Sequence, residues 1–310
     1  MRNRAIISIC LFLLLFALVE GWYLWQRSKL HTLLDQAFSE LKTDSVLFLG
    51  NSHMSFGLDT DYLAQGVNLA YPSEPLLFTY LKIKLLSPRT VIIALNPQHL
   101  QKNNDDALQN GLLSQYSYLY LYAKLDREAK QDLRRYTPSE QWFFFKTKQW
   151  LPFLGTRLSS QHQLINCPLG GFEPGHAPAL PMSPESVAAR VQTAFENYQY
   201  QESTLQLKYL RKTVAYCQKK GIRLIFISFP IQPGFYKAIP KKVFNRFQIT
   251  LKQLKKMGAF EYWDYTTHFP NHPELFYDAD HLSTQGAKAF SQTVNRRLFF
   301  SPQSTVHSFF

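Results

Sequence analysis

The sequence predicts an α/β fold whose parallel sheet is covered by helices on both faces. Short, continuously apolar runs such as residues 46–49 and 91–95 alternate with longer segments of helical spacing, which is typical of β-α-β units. Both runs end abruptly in small polar residues, as strands do at the carboxyl edge of such a sheet. The 310 residues are 45% hydrophobic and 15% aromatic, which is enough to fill the core.

The first expected element is a transmembrane anchor at residues 1–26. After Met1-Arg2-Asn3-Arg4 come about 20 largely apolar residues, AIISICLFLLLFALVEGWYLW, the length of a helix that crosses a bilayer. Arg2 and Arg4 favour a cytoplasmic amino terminus. We therefore expect a single-pass protein of the inner or plasma membrane, with its main domain on the periplasmic or extracellular side. A cleaved signal peptide is the alternative, although no small-x-small cleavage site is evident.

The remaining elements follow in chain order. Leucines at helical spacing predict a helical stalk at residues 27–44, and the main domain is expected at 45–310. Polar, aromatic and Pro/Gly-rich stretches at about 101–200 predict an inserted region of helices and loops. The expected strands or extended runs are 46–49, 67–70, 91–95, 223–229 and 259–266. The expected helices are 59–66, 76–86, 202–220, 241–257 and 284–298.

The charge of the chain bears on its partners, and its cysteine content bears on disulfides and metals. The formal charge is +12, from 34 Lys+Arg against 22 Asp+Glu, but the basic residues are scattered and no zinc-finger or RNA-binding signature is present. This argues against nucleic acid and for a membrane surface as partner. With three cysteines, one of them Cys10 in the anchor, no disulfide framework is expected; Cys167 and Cys217 could pair, or Cys217 could be a buried thiol. No Cys/His cluster has metal-ligand spacing, so no metal is expected.

The chemistry is expected at Ser52. The run SVLFL breaks into Gly50-Asn51-Ser52-His53, which places a serine hydroxyl at the end of a strand. A serine needs a base to take its proton and an acid to orient that base. Asp278 and His281, in YDADHLS near the end of the chain, supply these residue types three positions apart. The sequence therefore predicts a Ser52-His281-Asp278 triad.

Each of these residues also has a structural interpretation. Asn51 and Ser52 are common turn residues after a strand, and Asp280 or Ser283 could cap the last helix. Four other histidines are interpreted as surface or packing residues: His53, His99, His268 and His272. The joint occurrence of a strand-end serine and a late Asp-x-x-His favours the catalytic interpretation.

The pairing of GNSH with DADHLS resembles the SGNH (GDSL-like) hydrolase superfamily. The membrane-anchored form is similar to envelope acyl-transfer proteins of the DltD-like and alginate-acetylation groups. The resemblance implies a flavodoxin-like three-layer α/β/α core, with Ser52 as nucleophile, His281 as base and Asp278 as the acid that orients it. The first block departs from Gly-Asp-Ser, since Asn51 stands where the family has an acidic residue.

The resemblance also implies an oxyanion hole. Asn96, after the strand at 91–95, falls where the family supplies an asparagine. Ser73 stands where the family has a glycine whose backbone N–H points at the oxyanion, and the N–H of His53 is a further donor by its position. A backbone donor tolerates a changed side chain because the N–H makes the bond.

The function expected from these residues and the resemblance is a membrane-anchored serine esterase or O-acyltransferase. Its substrate would be an acyl ester of an envelope or extracellular polysaccharide, it would need no cofactor, and a multi-span acyltransferase is a possible partner. The alternative is a catalytically inactive protein of the same fold that serves as a docking or polysaccharide-binding module for a membrane partner.

Overall fold

The computed structural model describes residues 2–41, 46–109, 116–137, 170–174, 177–178, 183–197 and 199–300. Their centre is a five-stranded, entirely parallel sheet with the strand order β2-β1-β3-β4-β5. The strands are β1 (Val46–Leu49), β2 (Val67–Asn68), β3 (Thr90–Ala94), β4 (Arg223–Ser228) and β5 (Glu261–Asp264). This is the order of flavodoxin-like sheets, in which β1 and β3 flank the point where the chain reverses its direction across the sheet.

The helices connect these strands and cover the sheet. They are α1 (Arg2–Glu40), α2 (Ser52–Gly57), α3 (Leu76–Leu86), α4 (Asp106–Gln109), α5 (Tyr116–Lys124), α6 (Arg127–Tyr136), α7 (Pro184–Val191), α8 (Thr204–Lys220), α9 (Pro233–Ala238), α10 (Lys241–Lys255) and α11 (Thr284–Asn295). Short 3₁₀ turns lie at Thr60–Tyr62, Pro97–Leu100, Lys102–Asp105 and Pro273–Leu275, and π-helical turns at Gln192–Glu196 and Arg296–Phe300.

Side chains of the central strands alternate between two buried cores. One face of the sheet packs on α3, α8 and α10, and the other packs on α2 and α11. The first core takes Leu47, Leu49, Val91, Ile93, Leu224 and Phe226 from the strands, and the second takes Val46, Phe48, Ile92, Ala94, Ile225 and Ile227. Because successive residues of a strand point to opposite faces, continuous apolar runs are required here. The expected α/β architecture with a covered parallel sheet is confirmed.

Most elements lie where the sequence predicts them. The helix at 76–86 has the expected bounds, and α8 ends at Gly221, whose φ of 65° is the left-handed C-cap conformation. The expected helix at 59–66 was wrong: only Thr60–Tyr62 forms a turn there. The Asp59 side chain accepts the N–H of Asp61 at 3.0 Å, and such local bonding favours a turn over a longer helix.

The amino-terminal region is one helix, α1, which runs through the expected boundary at residues 26 and 27 without a break. Apolar side chains between Ile6 and Leu18 are exposed along it. Among the residues that the structure describes, no helix is both long enough and apolar enough to cross a membrane. The expected transmembrane helix is therefore not found in the structure.

The inserted region is helical where it is described. Helices α4 to α7 fall within residues 101–200, as expected, while residues 138–169 lie outside the described part of the chain. Cys167 is among those residues, and Cys217 is a buried free thiol on α8. The interpretation of Cys217 as a buried thiol is therefore confirmed.

Candidate active site

Ser52 lies at the carboxyl edge of the sheet, between β1 and α2. Gly50 ends the strand with a φ of 138°, and a Cβ at this position would lie 2.9 Å from the Cβ of Ala94 on the neighbouring strand. Only glycine fits this turn without displacing β3. Asn51 then caps α2, since its side-chain oxygen accepts the N–H of His53 at 3.2 Å. Ser52 is the first residue of that helix.

The loop that carries His281 is held by its own hydrogen bonds. Asp278 Oδ1 accepts the backbone N–H groups of Asp280 at 2.9 Å and His281 at 2.8 Å. The following helix, α11, is capped by Ser283, whose Oγ accepts the N–H of Gly286 at 3.2 Å. Of the two expected capping residues, Ser283 is confirmed and Asp280 is not. The Asp278 carboxylate is thereby fixed beside the imidazole ring.

The structure brings Ser52, His281 and Asp278 together in a hydrogen-bonded chain. Ser52 Oγ lies 2.8 Å from His281 Nε2. On the other side of the ring, His281 Nδ1 lies 3.0 Å and 2.9 Å from the two carboxylate oxygens of Asp278. A carboxylate only accepts, so Nδ1 carries the proton of the neutral ring and Nε2 is free to accept from the serine. This is the geometry of a nucleophile, a base and an orienting acid.

A second buried carboxylate lies behind the imidazole. Asp280 is fully buried, and its two oxygens accept from Arg190 Nε and Nη2, both at 2.8 Å. Its Oδ1 lies 3.5 Å from His281 Nδ1, and its Oδ2 lies 3.5 Å from His53 Nε2 and 3.4 Å from Gln98 Nε2. Two carboxylates, Asp278 and Asp280, therefore lie beside the His281 imidazole, and the partly exposed Arg190 guanidinium binds the second of them.

His53 and His99 extend this network into the protein. His53 Nδ1 lies 3.0 Å from His99 Nε2, and both side chains are buried. The His99 Nδ1 accepts the backbone N–H of Asn96 at 3.1 Å. His53 also packs against the His281 ring, with the centroids 4.6 Å apart. The His53 side chain is thus part of the site, whereas the sequence pointed only to the backbone N–H of this residue.

Burial and neighbouring charge set the protonation states. Burial alone would lower the pKa of His281, but the negative charge of Asp280 and the hydrogen bond to Asp278 outweigh it and raise the pKa above the ordinary value. Burial lowers the pKa of His53 and lowers that of His99 further. Burial opposes the charge of Asp280, yet His281, His53 and Arg190 hold the pKa of this carboxyl well below its usual range. Near neutral pH, His53 and His99 are therefore neutral and Asp280 is ionised.

Two of the three expected oxyanion donors are engaged elsewhere. Asn96 is fully buried, its Nδ2 donates to the carbonyl of Phe229 at 3.2 Å and its Oδ1 accepts the Phe229 N–H at 2.9 Å. It joins the ends of β3 and β4 and does not line the pocket at Ser52. The backbone N–H of His53 donates to Asn51 Oδ1. The structure therefore does not support either residue as an oxyanion donor.

Ser73 does line the pocket, with a backbone φ of 60°. This left-handed conformation is unfavourable for residues other than glycine, which agrees with a position that the resemblance assigns to glycine. Among the described residues, no protein acceptor takes the backbone N–H of Ser73 or that of Ser52. These two N–H groups remain available to a ligand.

The pocket beside Ser52 has a volume of about 580 Å³. Its lining is largely polar and comes from the strand ends and from the inserted region: Asn51, Ser52, His53, Tyr71, Pro72, Ser73, Gln98, His99, Asn103, Asn104, Asp106, Glu173, Arg190 and Ala194. Glu173 is placed by a main-chain bond from its N–H to the carbonyl of Ser55 at 2.9 Å. The inserted region therefore supplies one wall of the pocket.

His53, Asp280 and His281 also have the residue types of a metal site, and their ligand atoms lie within 4.8 Å of one another. Both oxygens of Asp280 already accept from the Arg190 guanidinium, whose positive charge opposes a second cation at this place. The ring nitrogens of His281 are similarly engaged by Ser52 and Asp278. We interpret the cluster as a hydrogen-bonded network.

Sequence reasoning missed the residues behind the triad. Asp280 stands in the DADH segment, so its acidic side chain next to His281 was a visible signal. Arg190 lies in the inserted region, about 90 residues before Asp280, and no local pattern marks it. Gln98 and His99 follow β3 at the same sheet edge as Ser52, and this position was the signal that could have found them.

Comparison with known proteins adds little to this geometry. A family model without a descriptive name matches residues 186–301, which is less than half of the chain. No curated protein matches. Twelve chains of solved structures match; one, provisionally described as a platelet activating factor from Streptococcus pneumonia, is 10% identical, covers 91% of this chain and 97% of that chain, and has a TM-score of 0.41. At this TM-score the likeness supports no argument about fold or function.

The fold and the site together define an α/β protein with a Ser-His-Asp hydrogen-bonded chain at the carboxyl edge of its sheet. A polar pocket opens beside the serine hydroxyl, and an ion pair between the buried Asp280 and the partly exposed Arg190 lies next to the histidine.

Proposed function

We propose that this chain is a serine esterase or O-acyltransferase of the SGNH (GDSL-like) type. The observation that supports it most is the chain of bonds from Ser52 Oγ through His281 to Asp278, with 2.8 Å between Ser52 Oγ and His281 Nε2. A hydroxyl in this setting can be deprotonated as it attacks, because the base already contacts it and the acid stabilises the imidazolium that forms.

The proposed reaction begins when Ser52 Oγ attacks the carbonyl carbon of an acyl ester. Its proton passes to His281 Nε2, and the carbonyl oxygen becomes an oxyanion. The N–H groups of Ser52 and Ser73 are the donors that we assign to this oxyanion, since no acceptor among the described residues takes them. The alcohol leaves with the proton from His281. Water or a sugar hydroxyl then gives its proton to His281 and attacks the carbonyl of the acyl-serine; the bond between the acyl group and Ser52 Oγ breaks, and His281 returns the proton to Ser52.

The acyl carrier that we propose is a polysaccharide of the cell envelope. This follows the resemblance of GNSH and DADHLS to envelope acyl-transfer proteins. The asparagines, acidic residues and tyrosine of the pocket wall fit it, because such side chains can hydrogen-bond sugar hydroxyls. No cofactor takes part in the proposed reaction.

The test is hydrolysis of p-nitrophenyl acetate and release of acetate from an acetylated polysaccharide by the full chain. We expect Ser52→Ala to lower the rate by at least about 10³-fold, because removal of a triad nucleophile leaves only binding and oxyanion stabilisation. The matched control is Ser39→Ala on the exposed face of α1, which keeps the activity. Equal rates for Ser52→Ala and the control would overturn the proposal.

The alternative is a docking or polysaccharide-binding module that keeps the fold without catalysis. One observation favours it: Asn96 binds the backbone of Phe229 and does not reach the pocket. Polysaccharide binding that is unchanged in Ser52→Ala, together with no ester hydrolysis by the wild-type protein, is the outcome expected from this alternative.

A further inference from the structure

Arg190 and Asp280 form an ion pair beside His281, in which the carboxylate is buried and the guanidinium is partly exposed. The guanidinium donates through Nε to Oδ1 and through Nη2 to Oδ2, each at 2.8 Å. The Asp280 side chain has no exposed surface, and that of Arg190 is 32% exposed. Two parallel N–H to oxygen bonds fix the orientation of both groups as well as their separation.

The same carboxylate faces the base. Asp280 Oδ1, which accepts from Arg190, lies 3.5 Å from His281 Nδ1. The orienting acid Asp278 is nearer but 33% exposed. Water screens the charge of a partly exposed group, whereas a fully buried charge acts through a medium of lower dielectric constant. Asp280 is therefore placed to influence the imidazole even though it does not bond to it within 3.0 Å.

The two residues of the pair belong to different parts of the fold. Asp280 belongs to the loop before α11, whereas Arg190 lies on α7 of the inserted region and lines the pocket. Val191 is the one side chain of α7 that is buried. The Arg190 to Asp280 bonds thus join the pocket wall to the loop that carries His281.

We propose that Arg190 and Asp280 are a positioning pair for His281. The pair holds the imidazole in line with Ser52 and connects it to the wall of the pocket. The inference rests on the proposed function, because it gives the pair a role in that reaction. Two residues outside the triad would then act on His281: Asp280 from the loop before α11 and Arg190 from the inserted region.

Charge gives the two residues opposite effects on the base. The carboxylate of Asp280 stabilises the imidazolium, and the guanidinium of Arg190 destabilises it. The other groups that face His281 are Ser52, His53 and Phe56 on α2 and Asp278 on its own loop. His53 is neutral because burial lowers its pKa. The charges that act on the imidazole are therefore the carboxylates of Asp278 and Asp280, which lie beside it, and the guanidinium of Arg190, which binds Asp280.

The expected pH dependence follows from this. His281 must be neutral to act as a base, so kcat/KM rises as pH rises through the pKa of His281. Asp280→Asn moves this rise to lower pH and Arg190→Gln moves it to higher pH, each by about one pH unit, the lower end of the effect of a nearby charge. A pair that only supported the fold would move the midpoint in neither variant, or in the same direction in both.

The experiment measures the pH profile of kcat/KM for the full chain with p-nitrophenyl acetate. The matched control is Arg223→Gln, which breaks an exposed ion pair with Glu261 at the edge of the sheet and leaves the profile unchanged. We also expect kcat to fall about tenfold or more in Asp280→Asn while KM changes little, since a misplaced base weakens the chemical step.

A direct titration of His281 by NMR, with histidine labelled in ¹⁵N and assigned through His281→Gln, separates this inference from the proposed function. The opposite shifts are expected even if the protein hydrolyses no ester, whereas failure of the proposed function appears as equal esterase rates for wild type and Ser52→Ala. Where a single variant does not fold, the double variant Asp280→Asn/Arg190→Gln leaves no uncompensated charge. Because Asp280 is the nearer charge, the double variant lowers the pKa of His281. An unchanged pKa, or shifts of the same sign in both single variants, would overturn the inference.

Discussion

At the scale of single residues, Ser73 combines an unfavourable backbone with a place at the pocket. Its φ of 60° lies in the left-handed region, which costs a residue with a Cβ about 1 kcal/mol or more. Ser73 lines the pocket beside Ser52. In the proposed reaction the N–H of Ser73 binds the oxyanion, and its hydroxyl has no part.

This predicts the effect of Ser73→Gly. Glycine adopts the left-handed conformation without strain, so the free energy of unfolding rises by up to about 1 kcal/mol. The N–H is kept, so kcat/KM for p-nitrophenyl acetate stays within about twofold of wild type. Urea unfolding and the esterase assay measure the two quantities.

Ser87→Gly is the matched control for that change. Ser87 also has a positive φ, 44°, at the C-cap of α3, and it does not line the pocket. We expect a similar gain in stability and no change in activity. A loss of more than tenfold in Ser73→Gly alone would show that the Ser73 side chain takes part in the reaction.

At the scale of elements, α3 fixes the segment that carries Ser73. Lys82 on α3 donates to the carbonyl of Leu69 at 2.7 Å and to the carboxylate of Glu74. Thr79 donates to the other oxygen of Glu74 at 3.0 Å. Lys82 and Glu74 are both buried. One ammonium thus ties both ends of residues 69–74, between which the chain turns past the pocket.

The buried pair predicts a large effect of Lys82→Met. The variant removes the ammonium that faces the Glu74 carboxylate, and loss of one partner of a buried ion pair costs about 3–5 kcal/mol of unfolding free energy. Urea unfolding measures this cost. Glu74→Leu/Lys82→Met removes both charges and restores most of the stability, because a buried pair replaced by apolar groups is often nearly neutral.

The matched control for Lys82→Met is Lys212→Met, at an ion pair with Glu128 whose side chains are 29% and 54% exposed. An exposed pair contributes about 1 kcal/mol or less, so little change is expected. If Lys82→Met destabilised no more than Lys212→Met, the buried pair would not be what fixes this segment.

At the scale of the whole molecule, the sheet brings distant parts of the chain to one edge. Ser52 and His281 are 229 positions apart and lie in hydrogen-bond contact. The parallel order places the ends of β1, β3 and β4 side by side. The inserted region then closes the pocket with Asn103, Glu173 and Arg190.

The sequence predicted the sheet and the triad because both depend on local patterns. Continuous apolar strands can be recognised from their composition. Gly50-Asn51-Ser52 and Asp278-x-x-His281 are short segments whose residue types indicate their chemistry. Helix α3 was predicted with its bounds for the same reason, since an apolar helical segment lies between Pro75 and Ser87.

The rest of the site depends on contacts that no local pattern contains. Arg190 binds Asp280, 90 positions away in the sequence. The buried His53 side chain contacts His99, which is 46 positions away. Asn96 was predicted to face the pocket, but the position after β3 also lies beside Phe229 at the end of β4. The adjacent strand decided where its amide binds, and the sequence does not show which strands are neighbours.

In the proposed function, Ser52 is a nucleophile that His281 activates. The most direct measurement is mass spectrometry of the full chain after treatment with a serine-directed fluorophosphonate, with the modified peptide sequenced. We expect a single phosphonyl adduct on Ser52 that is lost in His281→Ala, since an unactivated serine is a poor nucleophile. No adduct on Ser52 in the wild type, or equal labelling of Ser52 in His281→Ala, would contradict it.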